Sequence, residues 1–179
     1  RYYYTYGNVS KLSRQSPSGG GSVIGPETAA SLLFLSSIIN DYQITSILDI
    51  PCGDTNWQFQ SFEMDSLEVY VGADIAPEII ALNKRKFFFH SNKVFALWDF
   101  TECEIPHYKF LDNRKIIAES YRSFDLIHVR DVLQHLPLKK GMRAINNIFK
   151  SGAKFLLATT FPKGVNQEIK EGDFFRNNL

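Results

Sequence analysis

Ser46-Ile-Leu-Asp-Ile-Pro-Cys-Gly-Asp54 is a short apolar run that stops abruptly on a proline and a glycine. A run of this length, rich in isoleucine, reads as a strand buried on both faces, which is the habit of parallel sheets. Pro51 has no amide to give to a ladder, so the strand ends before it. Gly53 then marks a point where the backbone passes close to a ligand or takes a positive φ, since glycine does both without steric cost. A strand followed by such a turn is the usual opening of a nucleotide-binding α/β unit.

Outward from this stretch the chain alternates. Further strands are expected at Val69 to Asp74, Lys93 to Leu97, Phe124 to Val129 and Ala153 to Thr160, beside the first at Ile44 to Ile50. All five look buried. Helices are expected at Pro26 to Asp41, Trp57 to Phe62, Pro77 to Phe88, Leu111 to Ser120 and Leu138 to Lys150. Pro26 and Glu27 suit a first helical turn, Ala29, Leu32, Leu33 and Ile39 recur at helical spacing, and Ser151-Gly152 suits a C-cap. Strands and helices in alternation imply an α/β fold: a Rossmann-like, doubly wound, mostly parallel sheet with helices on both faces.

Ligands of such sheets lie beyond the carboxyl ends of the strands. The polar residues gather there. The strands stop at Asp49-Ile-Pro-Cys-Gly53, Gly72-Ala-Asp74, Trp98-Asp99-Phe100 and Arg130-Asp131. Asp74 stands 25 residues beyond Asp49, where a carboxylate accepts both hydroxyls of a ribose. A glycine turn alone serves structure as readily as binding; three successive strand ends carrying Gly53, Asp74 and Asp99 argue for a site.

These residues resemble class I S-adenosylmethionine (SAM) dependent methyltransferases. Ile47-Leu-Asp-Ile-Pro-Cys-Gly-Asp54 is similar to the family's first motif, Val71-Gly-Ala-Asp-Ile75 to the acidic second, and Ala96-Leu-Trp-Asp-Phe100 to the third. Phe124-Asp-Leu-Ile-His-Val-Arg-Asp-Val-Leu-Gln-His-Leu-Pro137 resembles the fourth, a strand running into a helix. The likeness spans about residues 26 to 162 and lies in the ordered set. It implies SAM as cofactor, with S-adenosylhomocysteine as product. It further implies that Asp49, Pro51, Cys52 and Gly53 hold the methionine part, Asp74 and Ile75 the ribose side, and Trp98, Asp99 and Phe100 the adenine. Arg130 then lines the cofactor or acceptor pocket. Two departures stand out. Pro51 and Thr55 replace the first and third glycines of the motif, and no final antiparallel strand pair is legible after Lys163. The Pro-Cys-Gly-Asp-x-x-Trp form resembles a subgroup linked to glycan decoration.

Methyl transfer to an oxygen needs a base, because a neutral hydroxyl is a poor nucleophile. Asp131 and His135, four residues apart on one expected helical face, are the catalytic candidates. His135 also reads as a packing histidine between leucines, and Asp131 as a cap. His128, inside an apolar strand, reads as a satisfied core histidine; His90 and His107 fall in loops. Cys52 lacks a sequence neighbour that could act as its base. Metal use would need clustered carboxylates, for which Asp131 and Asp173 are the pair to watch; no metal is expected. Most of the aromatic triplets, Phe87-Phe88-Phe89 among them, read as core.

Composition sets the remaining bounds. At 179 residues with 44% apolar content the chain can bury the core of one domain. Residues 1–25, with Ser16-Pro-Ser-Gly-Gly-Gly-Ser22, read as an arm and a flexible loop that is either a linker or a lid; 26–179 read as the methyltransferase domain. Arg1 without a preceding Met suggests a piece of a longer protein. With 20 basic and 19 acidic residues nothing favours nucleic acid, and the expected partner is a small-molecule or sugar acceptor. No apolar run is long enough to insert in a membrane, and Cys52 and Cys103 make no disulfide or zinc pattern, so a cytoplasmic setting is expected. A nicotinamide-binding oxidoreductase is disfavoured for want of G-x-G-x-x-G. A SAM-fold scaffold without catalysis is the remaining alternative.

Overall fold

Each residue of β1 (Ser46–Asp49) is buried, and its neighbours in sequence face opposite sides of one sheet. Ile47 belongs to a core with Tyr70 and Leu126. Leu48 belongs to a second core with Val71 and Ile127. This two-residue alternation, with apolar side chains on both faces, obliges helices to cover both. The computed structural model describes residues 16–106, 123–163 and 165–179. The expected helix at Leu111 to Ser120, the Tyr2-Tyr3-Tyr4 start and His107 lie outside the described residues.

Among the described residues the remaining strands are β2 (Val69–Asp74), β3 (Lys93–Leu97), β4 (Leu126–Val129) and β5 (Phe155–Ala158). They form one five-stranded sheet in the order β3-β2-β1-β4-β5. Every pairing is parallel. Helix α1 (Pro26–Asp41) packs Leu35 and Ile39, and α3 (Pro77–Lys86) packs Ile80, on the face that carries Ile47. Helix α4 (Leu138–Lys150) covers the other face through Ala144 and Ile148. The doubly wound fold is therefore present. Strand order reverses between β1 and β4, where a ligand crevice is expected.

Several local readings are corrected. In α1 the buried positions are Thr28, Leu35 and Ile39. Ala29 and Leu33 are exposed because they fall off that helical stripe. In place of a helix over Trp57 to Phe62 there is a 3-10 turn, Gln58–Gln60, then the four-residue helix α2 (Phe62–Asp65). Ser61 separates them, with an extended backbone and a hydroxyl that accepts from the Met64 amide. Of the Phe87-Phe88-Phe89 triplet only Phe87 is buried. β5 is also less enclosed than its composition suggests, with Phe155 and Leu156 exposed, because among the described residues it has a neighbour on one side only.

Candidate functional site

The turn after β1 is built from inside the protein. Asp49 is 1% exposed. One carboxylate oxygen accepts from Tyr70 Oη at 2.6 Å and Gln58 Nε2 at 3.1 Å. The other lies 2.8 Å from Nδ1 of His128, its partner across the β1–β4 register. A carboxylate can only accept here, so Nδ1 carries the proton. Gln58 Nε2 also donates to the Cys52 carbonyl at 2.9 Å, so Asp49 holds the turn through Gln58. Burial, with the nearby Asp49 charge, drives the Tyr70 phenol well above its ordinary range and keeps it a donor.

Gly53 takes φ +56°, and Thr55 takes φ +49°. Thr55 occupies the third glycine position of the motif and keeps the left-handed backbone that glycine would adopt there, a conformation costly for a β-branched residue. Contacts from α3 hold the turn around it. Asn83, fully buried, donates from Nδ2 to the Gly53 carbonyl at 2.7 Å, and its Oδ1 lies 3.1 Å from the Thr55 hydroxyl. Lys86 Nζ donates to the Thr55 carbonyl at 2.9 Å. Burial lowers the Lys86 pKa, against the pull of Asp54. Neither Asn83 nor Lys86 was flagged by sequence. Both lie on a helix whose register against the turn is a tertiary fact.

At the end of β2, Asp74 Oδ2 accepts from the Gly53 amide at 3.1 Å and Oδ1 from the Ala76 amide at 3.0 Å. Burial raises its pKa, partly offset by those amides. Asp99 holds the turn after β3, one oxygen accepting from the Thr101 amide and hydroxyl at 2.9 and 2.7 Å. The Trp98 indole Nε1 is buried and has no hydrogen-bond partner among the described residues.

A pocket opens between these strand ends. Pro51, Asp74, Ile75, Trp98, Asp99 and Phe100 line it, which brings together six residues the sequence had singled out. Ile50, Thr101, Val132, Leu136 and Glu171 also line it and were not foreseen. Val132 and Leu136 could have been found as the apolar pair flanking His135. Glu171 could not, because it arrives from a distant loop, held by Lys140 at 2.8 Å.

The other sequence candidates lie outside this lining. Cys52 is buried, and burial with the Asp49 and Asp74 charges pushes its thiol far up, so it offers no thiolate. Arg130 reaches from the end of β4 to the Gly21 carbonyl at 2.7 Å, pairs with Asp131 at 3.0 Å, and lies over the Trp57 ring. Asp131 and His135 are not on one helix. Asp131 has φ +55°, which breaks helical geometry, and His135 ends a three-residue 3-10 turn, Leu133–His135. His135 is exposed, and its Nδ1 lies 3.1 Å from the Asp173 carbonyl. The Asp173 carboxylate accepts from the Lys170 amide. Among the described residues no three His, Cys, Asp or Glu side chains converge as a metal would require.

No family model and no curated protein matches the chain. Solved structures do. The N-methyltransferase NodS from Bradyrhizobium japonicum WM9, in complex with S-adenosyl-l-homocysteine, is similar over 78% of this chain and 65% of its own, with TM-score 0.53 and 18% identity. The magnesium protoporphyrin IX methyltransferase ChlM from Synechocystis PCC 6803, with bound SAH, matches 76% of this chain and 57% of its own, with TM-score 0.53 and 14% identity. The chain thus spans about three-fifths of the length of these relatives in structure. The likeness establishes one thing: the described residues have the Rossmann-like fold of SAM-dependent methyltransferases.

Proposed function

We propose that the chain binds SAM in the crevice beyond β1, β2 and β3 and transfers its methyl group to a hydroxyl of a small molecule or glycan. The observation that carries this is the position of Asp74, which lines the pocket while it closes the Gly53 turn. Adenosine offers what such a lining accepts. Its ribose hydroxyls and amino group are donors, and its ring is flat and apolar. The pocket supplies carboxylates at Asp74, Asp99 and Glu171 and apolar surfaces at Pro51, Ile75 and Leu136, with no cationic side chain among the described residues that line it. The unpartnered Trp98 Nε1 marks a donor that a ligand nitrogen or oxygen can satisfy.

A dinucleotide fits less well. Pyrophosphate needs free amides at a helix start. Here the Cys52 amide donates to the Ala73 carbonyl and the Gly53 amide to Asp74. The turn leads into three residues of 3-10 helix rather than a long helix.

The bound cofactor would supply a sulfonium methyl, and the protein's task is alignment, together with removal of the acceptor's proton. Asp74 would hold the ribose, Ile75 and Leu136 the adenine faces, Trp98, Asp99 and Phe100 its edge. Gly53 would hold the methionine end, and Arg130 would border the cofactor or acceptor pocket from the Gly21 carbonyl. Asp49 and Cys52 serve by shaping the turn. Because a carbonyl only accepts, His135 donates from Nδ1 to Asp173 and leaves Nε2 free to take a proton. Asp131, paired with Arg130, would position the acceptor. Net charge of +1 gives no footprint for nucleic acid. Among the described residues no helix is long and apolar enough to cross a membrane, and both cysteines are free, in keeping with a reducing, cytoplasmic setting.

A second reading, a SAM-fold binding module without turnover, is favoured by the placement of Asp131 and His135 outside the pocket lining. Titration calorimetry with SAM, S-adenosylhomocysteine and NAD, followed by methyl transfer to a panel of sugars and small hydroxyl compounds, tests both. NAD binding without a response to the SAM pair sinks the proposal; SAM binding without turnover on any acceptor selects the module.

A further inference from the structure

Two segments from opposite ends of the described chain lie over the strand ends. The first is the Gly/Ser stretch from Ser16 to Ser22. Ser16 Oγ donates to Asp54 at 2.7 Å, and Asn56 Nδ2 donates to the Ser22 carbonyl at 3.1 Å. A Cβ placed on Gly53 would lie 3.1 Å from Ser18 Oγ, so this stretch rests directly on the turn. From the far side of the crevice Arg130 reaches the Gly21 carbonyl at 2.7 Å. The stretch therefore bridges the β1 side and the β4 side of the switch point. The second segment, residues 165–179, returns over the start of α4. Glu168 accepts from the Leu138 amide, the Phe175 amide donates to the Gln134 carbonyl, and Leu179 packs where a Cβ on Gly141 would stand.

The two are held by different forces. Leu179 joins the core beneath α4, and Asn177 is 2% exposed and bonded twice to the Gln167 backbone. The Gly/Ser stretch buries Ser16 and no apolar side chain. Among the described residues its fastenings are the hydrogen bonds of Ser16, Gly21 and Ser22, and its path turns on Gly19 at φ +94°. Local opening follows the apolar contacts and shielded hydrogen bonds that must be broken, so the polar strap opens first. When shut it leaves the Ser18 hydroxyl buried with no partner among the described residues. A ligand acceptor lying over Gly53, such as the methionine carboxylate, would satisfy that hydroxyl and so favour the shut state over the open one.

We infer that residues 16–22 are the gate through which cofactor reaches the crevice, with Arg130 as its latch, and that residues 165–179 are a fixed wall. The inference rests on the SAM reading. Arg130 is here a positioning residue that acts through the strap. The test is amide exchange by mass spectrometry on the full chain, with and without S-adenosylhomocysteine, beside calorimetry. Without ligand, the amides of Gly19, Ser22 and Val23 should exchange at least about tenfold faster than that of Phe175; with ligand they should slow by about tenfold while Phe175 is unchanged. Arg130→Ala should raise the dissociation rate of S-adenosylhomocysteine about tenfold, and Arg130→Lys should recover part of it. Faster exchange at Phe175 than at Gly19, or binding that leaves the strap unprotected, overturns the gate alone. Absence of any heat with S-adenosylhomocysteine overturns the SAM reading and the gate with it.

Discussion

The amide of Gly53 donates to Asp74 Oδ2 at 3.1 Å, so the turn after β1 and the end of β2 form one hydrogen-bonded unit. Asp74 thus has two duties, holding the turn and facing the pocket. Asp74→Ala should weaken SAM binding by about 1–3 kcal/mol, through lost bonds to the ribose and a loosened turn. Asp74→Asn should lose less, since its amide keeps one acceptor oxygen. Calorimetry on both variants separates the duties. Equal losses would place the whole effect in the ribose contact, and unchanged affinity in both would remove Asp74 from the site.

The left-handed Thr55 gives a second expectation. Asn83 donates to the Gly53 carbonyl at 2.7 Å, where the only other donor among the described residues is the weak Cys52 thiol at 3.4 Å, and it braces Thr55 while fully buried. Asn83→Ala should lower stability by about 2–4 kcal/mol, from a carbonyl left with only a weak thiol donor and from a small cavity. Thr55→Gly should restore part of it in the double variant, because glycine needs no bracing at φ +49°. Denaturant unfolding of the two single variants and the double variant reads this directly; strict additivity would show that Asn83 does not hold Thr55.

Gly72 should tolerate no side chain. It lies inside β2, and a Cβ there would come within 2.7 Å of two ring carbons of Phe95 and 3.1 Å of Cys52 Sγ. Phe95 has nowhere to retreat, being stacked on Phe87 at 5.4 Å and set against Tyr70 at 5.9 Å. Gly72→Ala should cost about 1–3 kcal/mol by overpacking. A melting temperature equal to that of the unsubstituted chain would show that the ring moves freely.

What could be read from sequence was local. β2, β3 and α4 have the bounds their patterns suggest, because apolar runs closed by Asp74, Trp98 and Gly152 leave little choice of period or end. The placement of Gly53 and Asp74 at successive strand ends was legible; the hydrogen bond between them was not. What failed was whatever depended on a backbone angle or a distant neighbour. Asp131 and His135 share a face only if the intervening chain is helical, and Asp131 at φ +55° is not. Phe155 and Leu156 look like core until the strand they sit on is found at an edge. Glu171 has no motif at all; a loop brings it to the pocket.

Acid should act on the fold through Asp125. Burial would raise its carboxyl, but Lys154 at 2.6 Å and donors from Thr45 and Ser46 outweigh that and lower it from 3.8 to about 2. A carboxylate with a depressed pKa stabilises the fold above its ordinary value and loses that contribution as pH falls from about 4 toward 2. The amount at stake is on the order of 2 kcal/mol. Asp74, raised by burial, acts in the opposite sense: its ionisation weakens the fold as pH climbs above 3.8. Asp125→Asn should flatten the acid limb of a stability profile measured by urea unfolding. An unchanged limb would assign acid loss to other groups.

His135 offers the sharpest test of catalysis. Its Nδ1 faces the Asp173 carbonyl, which accepts only, so Nε2 is the ring atom that the proposed proton transfer would use. Phe174, with its ring centroid 5.4 Å away, helps fix the ring's plane. Glutamine in its place can still donate to that carbonyl and cannot take up a proton near neutral pH. If His135 removes the acceptor's proton, His135→Gln should lower kcat by about 10²–10⁴ while S-adenosylhomocysteine binds as before. Transfer to an acceptor already ionised, such as an acidic phenol above its pKa, should be much less impaired, since no base is then required. Equal impairment on ionised and neutral acceptors would mean that His135 only holds the 165–179 segment in place, and the proton would then have to leave by way of Asp131 or solvent.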